Sequence, residues 1–134
     1  MNTATATTSR LVGVVAAALG LAFSPLVFAC GACDEDSIAA TYDNAVVERA
    51  ARSHDLLVYC QLSGRVSRQS VLLAARRVPG VRAQSIRISE QPGALSFAID
   101  PRLQSARTAV AAAQIGLPPG TQLRILKVTT NSGS

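Results

Sequence analysis

Between residues 55 and 130 the spacing of apolar side chains switches repeatedly between the period of a strand and that of a helix, and the order of those switches leaves few folds open. DLLVYC, residues 55 to 60, is a short apolar run of strand composition. After the loop QLSG, Ser63 or Ser67 can cap a helix reaching Val78, in which Val71, Leu72, Ala75 and Val78 form the buried stripe. Pro79-Gly80 ends it, because proline removes a backbone donor and glycine accepts conformations other residues resist. QSIRIS then alternates with Ile86 and Ile88 inward. Gln91-Pro92-Gly93 turns the chain, and ALSFAI alternates again with Leu95, Phe97 and Ile99 on one face, so the two runs read as a hairpin. Asp100-Pro101 stops that strand. An Ala-rich helix over about Ser105–Ile115 turns Ala106, Ala109, Val110 and Ala113 inward and stops at Gly116. Beyond the rigid connector Leu117-Pro118-Pro119-Gly120, TQLRILKV supplies a last strand. The order predicts an α+β fold: a ferredoxin-like βαββαβ sandwich, four antiparallel strands with two helices on one face.

One further element precedes this unit. Asp34, Glu35 and Asp36 open a pattern in which Ile38, Tyr42, Ala45, Val46 and Arg49 share a helical face, which predicts a single additional N-terminal helix from about Glu35 to Ser53 with Asp34 as its N-cap. Acids in a first turn complement the helix dipole. The apolar stripe of this helix must cover the end, the edge or the open face of the sheet, and Tyr42 on that stripe reads as core.

The start of the chain has the order of a secretory leader. Arg10 is followed by LVGVVAAALGLAF without a charge, then by the breaker Ser24-Pro25, then by Val27-Phe28-Ala29 with residues suited to a cut after Ala29. The expected organisation is a signal peptide over 1–29, a cysteine-containing segment and helix over 30–54, the βαββαβ domain over 55–130, and a fraying tail over 131–134. An uncleaved anchor is the competing reading, since the apolar run is nearly long enough to span a bilayer core of roughly 30 Å. Export places the chain in the periplasm or outside the cell, where thiols meet an oxidising environment. The expected mature chain keeps 12 of the 13 basic side chains and all 8 acidic ones. Its bases are scattered arginines without interleaved aromatics, the pattern of a solvated surface rather than of a nucleic-acid footprint. No Ser-His-Asp set, phosphate loop or paired-carboxylate arrangement is visible, and no enzyme activity is expected.

RQSVLLAARRVPGVRAQSIRIS, then GALSFAIDP, then a short helix ending at Gly116, is similar to the heavy-metal-associated domain of copper chaperones and metal-transporting ATPases. Val78-Pro79-Gly80-Val81 resembles that family's turn after its first helix, and Asp100-Pro101 its strand-ending pair. The likeness covers about residues 55 to 128. It implies the fold, and it implies soft-metal binding through a CxxC between the first strand and first helix. Those two positions fall here on Gly64 and Ser67, neither of which can supply a thiolate, so the binding function does not transfer at those positions.

The thiols lie elsewhere, at Cys30, Cys33 and Cys60. Three cysteines make an odd count, which requires a free thiol, an intermolecular bridge or a ligand. If the leading helix runs back along the first strand, Cys30 and Cys33 return toward Cys60, and three thiolates would suit Cu(I) or Zn(II). The candidate metal ligands are therefore Cys30, Cys33 and Cys60, with His54 the poorest candidate at the other end of the strand. Other readings stay open. A disulfide between Cys30 and Cys33, or from one of them to Cys60, would staple a periplasmic interaction module that holds no metal and meets another protein; a Cys33–Cys60 bridge would add roughly 3 kcal/mol on the chain-entropy model. CGAC at a helix N-terminus is also a redox pattern, because the dipole favours a thiolate, and Cys30 is the residue that lipidation would place at a membrane surface.

Overall fold

The computed structural model describes residues 29–130, with side chains from Cys33 onward, so the expected leader, the NSGS tail and the Cys30 side chain lie outside it. Two helices come first, α1 (Ala29–Thr41) and α2 (Asn44–Ser53). Then follow β1 (Leu56–Ser63), α3 (Arg68–Arg76), β2 (Arg87–Glu90), β3 (Gly93–Ile99), α4 (Ala106–Ile115) and β4 (Gln122–Thr130), with a single 3₁₀ turn over Ala83–Ser85 ahead of β2. The four strands form one antiparallel sheet in the order β2-β3-β1-β4. The chain is thus a mixed α+β protein. Among the described residues no helix is long and apolar enough to cross a membrane.

Strand alternation divides the core in two. Val58 and Cys60 of β1 and Leu95, Phe97 and Ile99 of β3 face α3 and α4, meeting Val71, Ala75, Ala109, Val110 and Ala113. Leu57, Tyr59 and Ala98 point to the opposite face, where they meet Val46 and Ala50 of α2 with Ile38 of α1 beside them. The leading residues therefore cover the second face of the sheet. Both α3 and α4 begin at serine caps, Ser67 and Ser105, whose hydroxyls accept from the backbone N–H three residues on. At the far end of β1, Gly93 lies so close to the Leu62 carbonyl that any Cβ would collide with it, which lets the β2–β3 hairpin reach its neighbour.

The single helix expected over 35–53 is two helices. The break falls at Tyr42-Asp43, and Asp43 is its cause: its backbone is extended, and Oδ1 accepts from Ala45 N at 2.9 Å and Val46 N at 3.2 Å, restarting the helix as a new N-cap. The other carboxylate oxygen accepts from Arg87 of β2 at 2.9 Å, fixing the break to the sheet. Two further expectations change with it. Asp34 lies inside α1 rather than capping it, and Tyr42, expected in the core, is 56% exposed because the restart shifts the helical phase. What α1 buries instead is Ser37 and Thr41, one turn apart, and Ser96 of β3 donates its hydroxyl to the Thr41 carbonyl at 3.2 Å. The end of α2 is set by His54, whose left-handed backbone (φ 56°) lets its N–H reach the Ala50 and Ala51 carbonyls.

Candidate thiol site at the start of the first helix

Cys30 and Cys33 both lie in the opening turns of α1. Cys33 is exposed and, among the described residues, in no disulfide. The turn that carries Cys33 is held to the sheet by its neighbour. Arg124 of β4 donates from Nη2 to Asp34 Oδ1 at 2.8 Å and to Gln61 Oε1 at 2.9 Å, so one guanidinium ties α1 to both β1 and β4. Such an exposed pair contributes at most about 1 kcal/mol. Its effect is positional: it fixes where the first turn of α1 sits over the edge of the sheet.

Cys60 is elsewhere. It lies inside β1, which continues to Ser63 rather than ending at residue 60, and its side chain is 1% exposed among the residues facing α3 and α4. Burial pushes its thiol up to about 12, so at neutral pH it behaves as a small apolar side chain. Since α1 packs on the Leu57 and Tyr59 face, the sheet itself separates Cys33 from Cys60. The structure does not bring those two thiols together, and Cys60 is likewise in no disulfide. Among the described residues no group of three or more His, Cys, Asp or Glu side chains is placed to hold a metal. His54, occupied with ending α2, is not part of any such group.

The loop between β1 and α3, where the resembled family carries its metal ligands, does not fit one here. Gly64 has φ +97°, and a Cβ on it would run into the Gly120 carbonyl. Ser67 is committed to capping α3 through Ser70 N at 3.1 Å. The recess beside Gly64 is lined by Arg65 and Arg68 and by a single carboxylate, Glu90, a net positive charge that opposes a cation. Position 64 is therefore closed to any side chain, thiol or otherwise, for steric reasons the sequence did not display.

The ion pairs missed by sequence reasoning are structural. Asp55 is buried, and Arg82 grips it with Nε to Oδ2 at 2.9 Å and Nη2 to Oδ1 at 3.1 Å. Asp100 is gripped in turn by Arg102, Nε to Oδ1 at 2.9 Å and Nη2 to Oδ2 at 2.8 Å. The Arg102 side-chain and backbone hydrogen bonds hold the Asp100 carboxyl down at about 2. Arg82 also lies 3.6 Å from Asp100, and through it the start of β1 is joined to the end of β3. Sequence separation hid the Asp55–Arg82 contact; Asp100 and Arg102 are close in the chain, but their pattern was read only as a strand end. Comparison with protein-family models, with curated proteins and with solved structures gave no match for this chain.

Proposed function

We propose that the chain is an exported, ferredoxin-like relative of heavy-metal-associated domains that carries a soft metal ion, Cu(I) or Zn(II), on the thiolates of Cys30 and Cys33 instead of in the β1–α3 loop. The observation that supports this most is the CxxC turn itself: an exposed Cys33 in the first turns of α1, three residues from Cys30, beside the positive end of the helix dipole. Thiolate ligands select Cu(I) and Zn(II) over hard cations. The sheet order β2-β3-β1-β4, with α3 and α4 on one face, agrees with the ferredoxin-like reading. Cys60, on the other side of the sheet, is left out of the site, and its burial weighs against a staple from Cys33. The metal is cargo in this proposal, taken up and passed on or sequestered, and no catalytic step is invoked.

Intact mass of the protein from its native compartment, with and without thiol alkylation, tests the proposal. The expected species begins at Cys30, accepts an alkyl group on both Cys30 and Cys33 after metal removal, and carries no lipid. A chain still starting at Met1 removes the export half of the proposal. A Cys30 carrying acyl chains, or a Cys30–Cys33 bond that persists in the metal-loaded fraction, removes the metal site.

A further inference from the structure

On the face covered by α1 and α2, a recess opens beside β4. Its inner part, about 130 Å³, has apolar walls from Ile38, Val47 and Leu57 and four polar side chains, those of Tyr42, Tyr59, Lys127 and Thr129. It adjoins an outer part of about 370 Å³ that shares Ile38, Tyr42 and Lys127 and adds Glu35 at the rim. A recess of this size is within the range of small-ligand sites.

The polar groups are what single it out. The Tyr59 side chain is 4% exposed, and its hydroxyl keeps accessible surface at the recess, where no described residue bonds to it. Thr129 Oγ1 is buried and has no partner. Buried hydroxyls normally find partners, because leaving one unpaired costs its full desolvation. Lys127, opposite Tyr59 in the β1–β4 register and two residues before Thr129, makes no ion pair among the described residues. Desolvation raises the Tyr59 pKa, so its hydroxyl keeps a proton to donate. Three donors thus line one recess, beside the Tyr42 hydroxyl, which is turned to Asn44, and the apolar side chains of Ile38, Val47 and Leu57. The group that satisfies all three is an anionic oxygen acceptor joined to an apolar body.

We propose that this recess binds a small monocarboxylate with an aliphatic or aromatic tail, its carboxylate against Lys127, Tyr59 and Thr129. Glu35 at the rim repels a second negative charge, so dianions of the same length are excluded. The proposal is independent of the thiol site, which is built from other residues of α1.

The test is a ¹⁵N NMR titration of the full chain with hexanoate, 1-hexanol and adipate as probes. Hexanoate at millimolar concentration is expected to shift the amides of Ile38, Tyr59 and Thr129, with hexanol and adipate each at least about tenfold weaker. Lys127→Met should weaken hexanoate binding about tenfold and Tyr59→Phe severalfold, both with the sheet resonances in place. Because Lys127 is exposed, its variant is a safe second probe should Tyr59→Phe disturb the core. The proposal is overturned if hexanoate produces no shifts, if the shifts map outside this recess, if hexanol binds as well as hexanoate, or if Lys127→Met binds unchanged.

Discussion

Phe97→Ala should be among the most damaging single substitutions in this protein. Phe97 sits in the middle of β3, one of the two central strands, opposite Val58 of β1, and is 0% exposed. Its ring fills the layer between the sheet and α3 and α4, where the facing side chains Val71, Ala75, Ala109 and Ala113 are small. Those neighbours cannot close over the gap left by a phenyl group. Transfer of a buried aromatic side chain is worth about 1.5 to 3 kcal/mol, and the residual cavity brings the total to about 3 to 5 kcal/mol. A domain of this size is stabilised by roughly 5 to 15 kcal/mol, so the variant should remain folded at 25 °C with its midpoint lowered by at least about 12 °C. Urea and thermal unfolding followed by far-ultraviolet circular dichroism is the suitable assay, because the chain has no tryptophan. Val128→Ala, on the exposed edge of the same sheet, should cost less than about 1 kcal/mol. A loss below about 1 kcal/mol for Phe97→Ala, at unchanged denaturant slope, would mean that the side chain does not fill the α3–α4 face and that the two-face division is mistaken.

Three other outcomes follow from the same geometry. In the native chain iodoacetamide should modify Cys33 and spare Cys60, whose thiol burial holds near 12, while in urea both should react; equal native rates would place Cys60 outside the core. Gly64→Cys with Ser67→Cys, which writes the family's ligand pair into the β1–α3 loop, should lower stability and create no tight metal site there, because a side chain at 64 collides with the Gly120 carbonyl; a gain of one bound Cu(I) in a chain already lacking Cys33 would contradict this. The Asp100 carboxyl is held below its unfolded value, so its contribution is complete above about pH 4 and is lost as pH falls toward 2. Asp43, lowered by its hydrogen bond from Arg87, acts in the same direction. Asp100→Asn should flatten the acid limb of a stability-versus-pH curve, and an unaltered limb would show that Arg102 does not hold that carboxylate.

The strands and the two later helices were legible because their signals are local. Ile86, Ile88, Leu95, Phe97 and Ile99 alternate cleanly and are buried as that alternation implies. Serine caps and Gly116 marked the helix ends. The front of the chain was misread at one residue. Asp43 within a continuous apolar period gives no sign that it stops one helix and caps the next, since that depends on Arg87, distant in sequence, taking its second oxygen. The face that α1 buries was hidden for a related reason: Ser37 and Thr41 are polar by composition; the Thr41 hydroxyl turns back onto its own helix, and Ser96, distant in sequence, donates to the Thr41 carbonyl. For the candidate site, spacing revealed the Cys30–Cys33 pair. It could not reveal which side of β1 Cys60 would take relative to a helix whose docking face was undetermined.

Competition titration of the reduced chain with Cu(I) against a chromophoric chelator tests the thiol-site proposal most directly, run in parallel on Cys33→Ser and Cys60→Ser. The proposal expects about one Cu(I) per parent chain, its loss in Cys33→Ser, and its retention in Cys60→Ser, whose thiol lies behind the sheet. Binding by Cys33→Ser equal to that of the parent, or loss of binding in a folded Cys60→Ser, would contradict it.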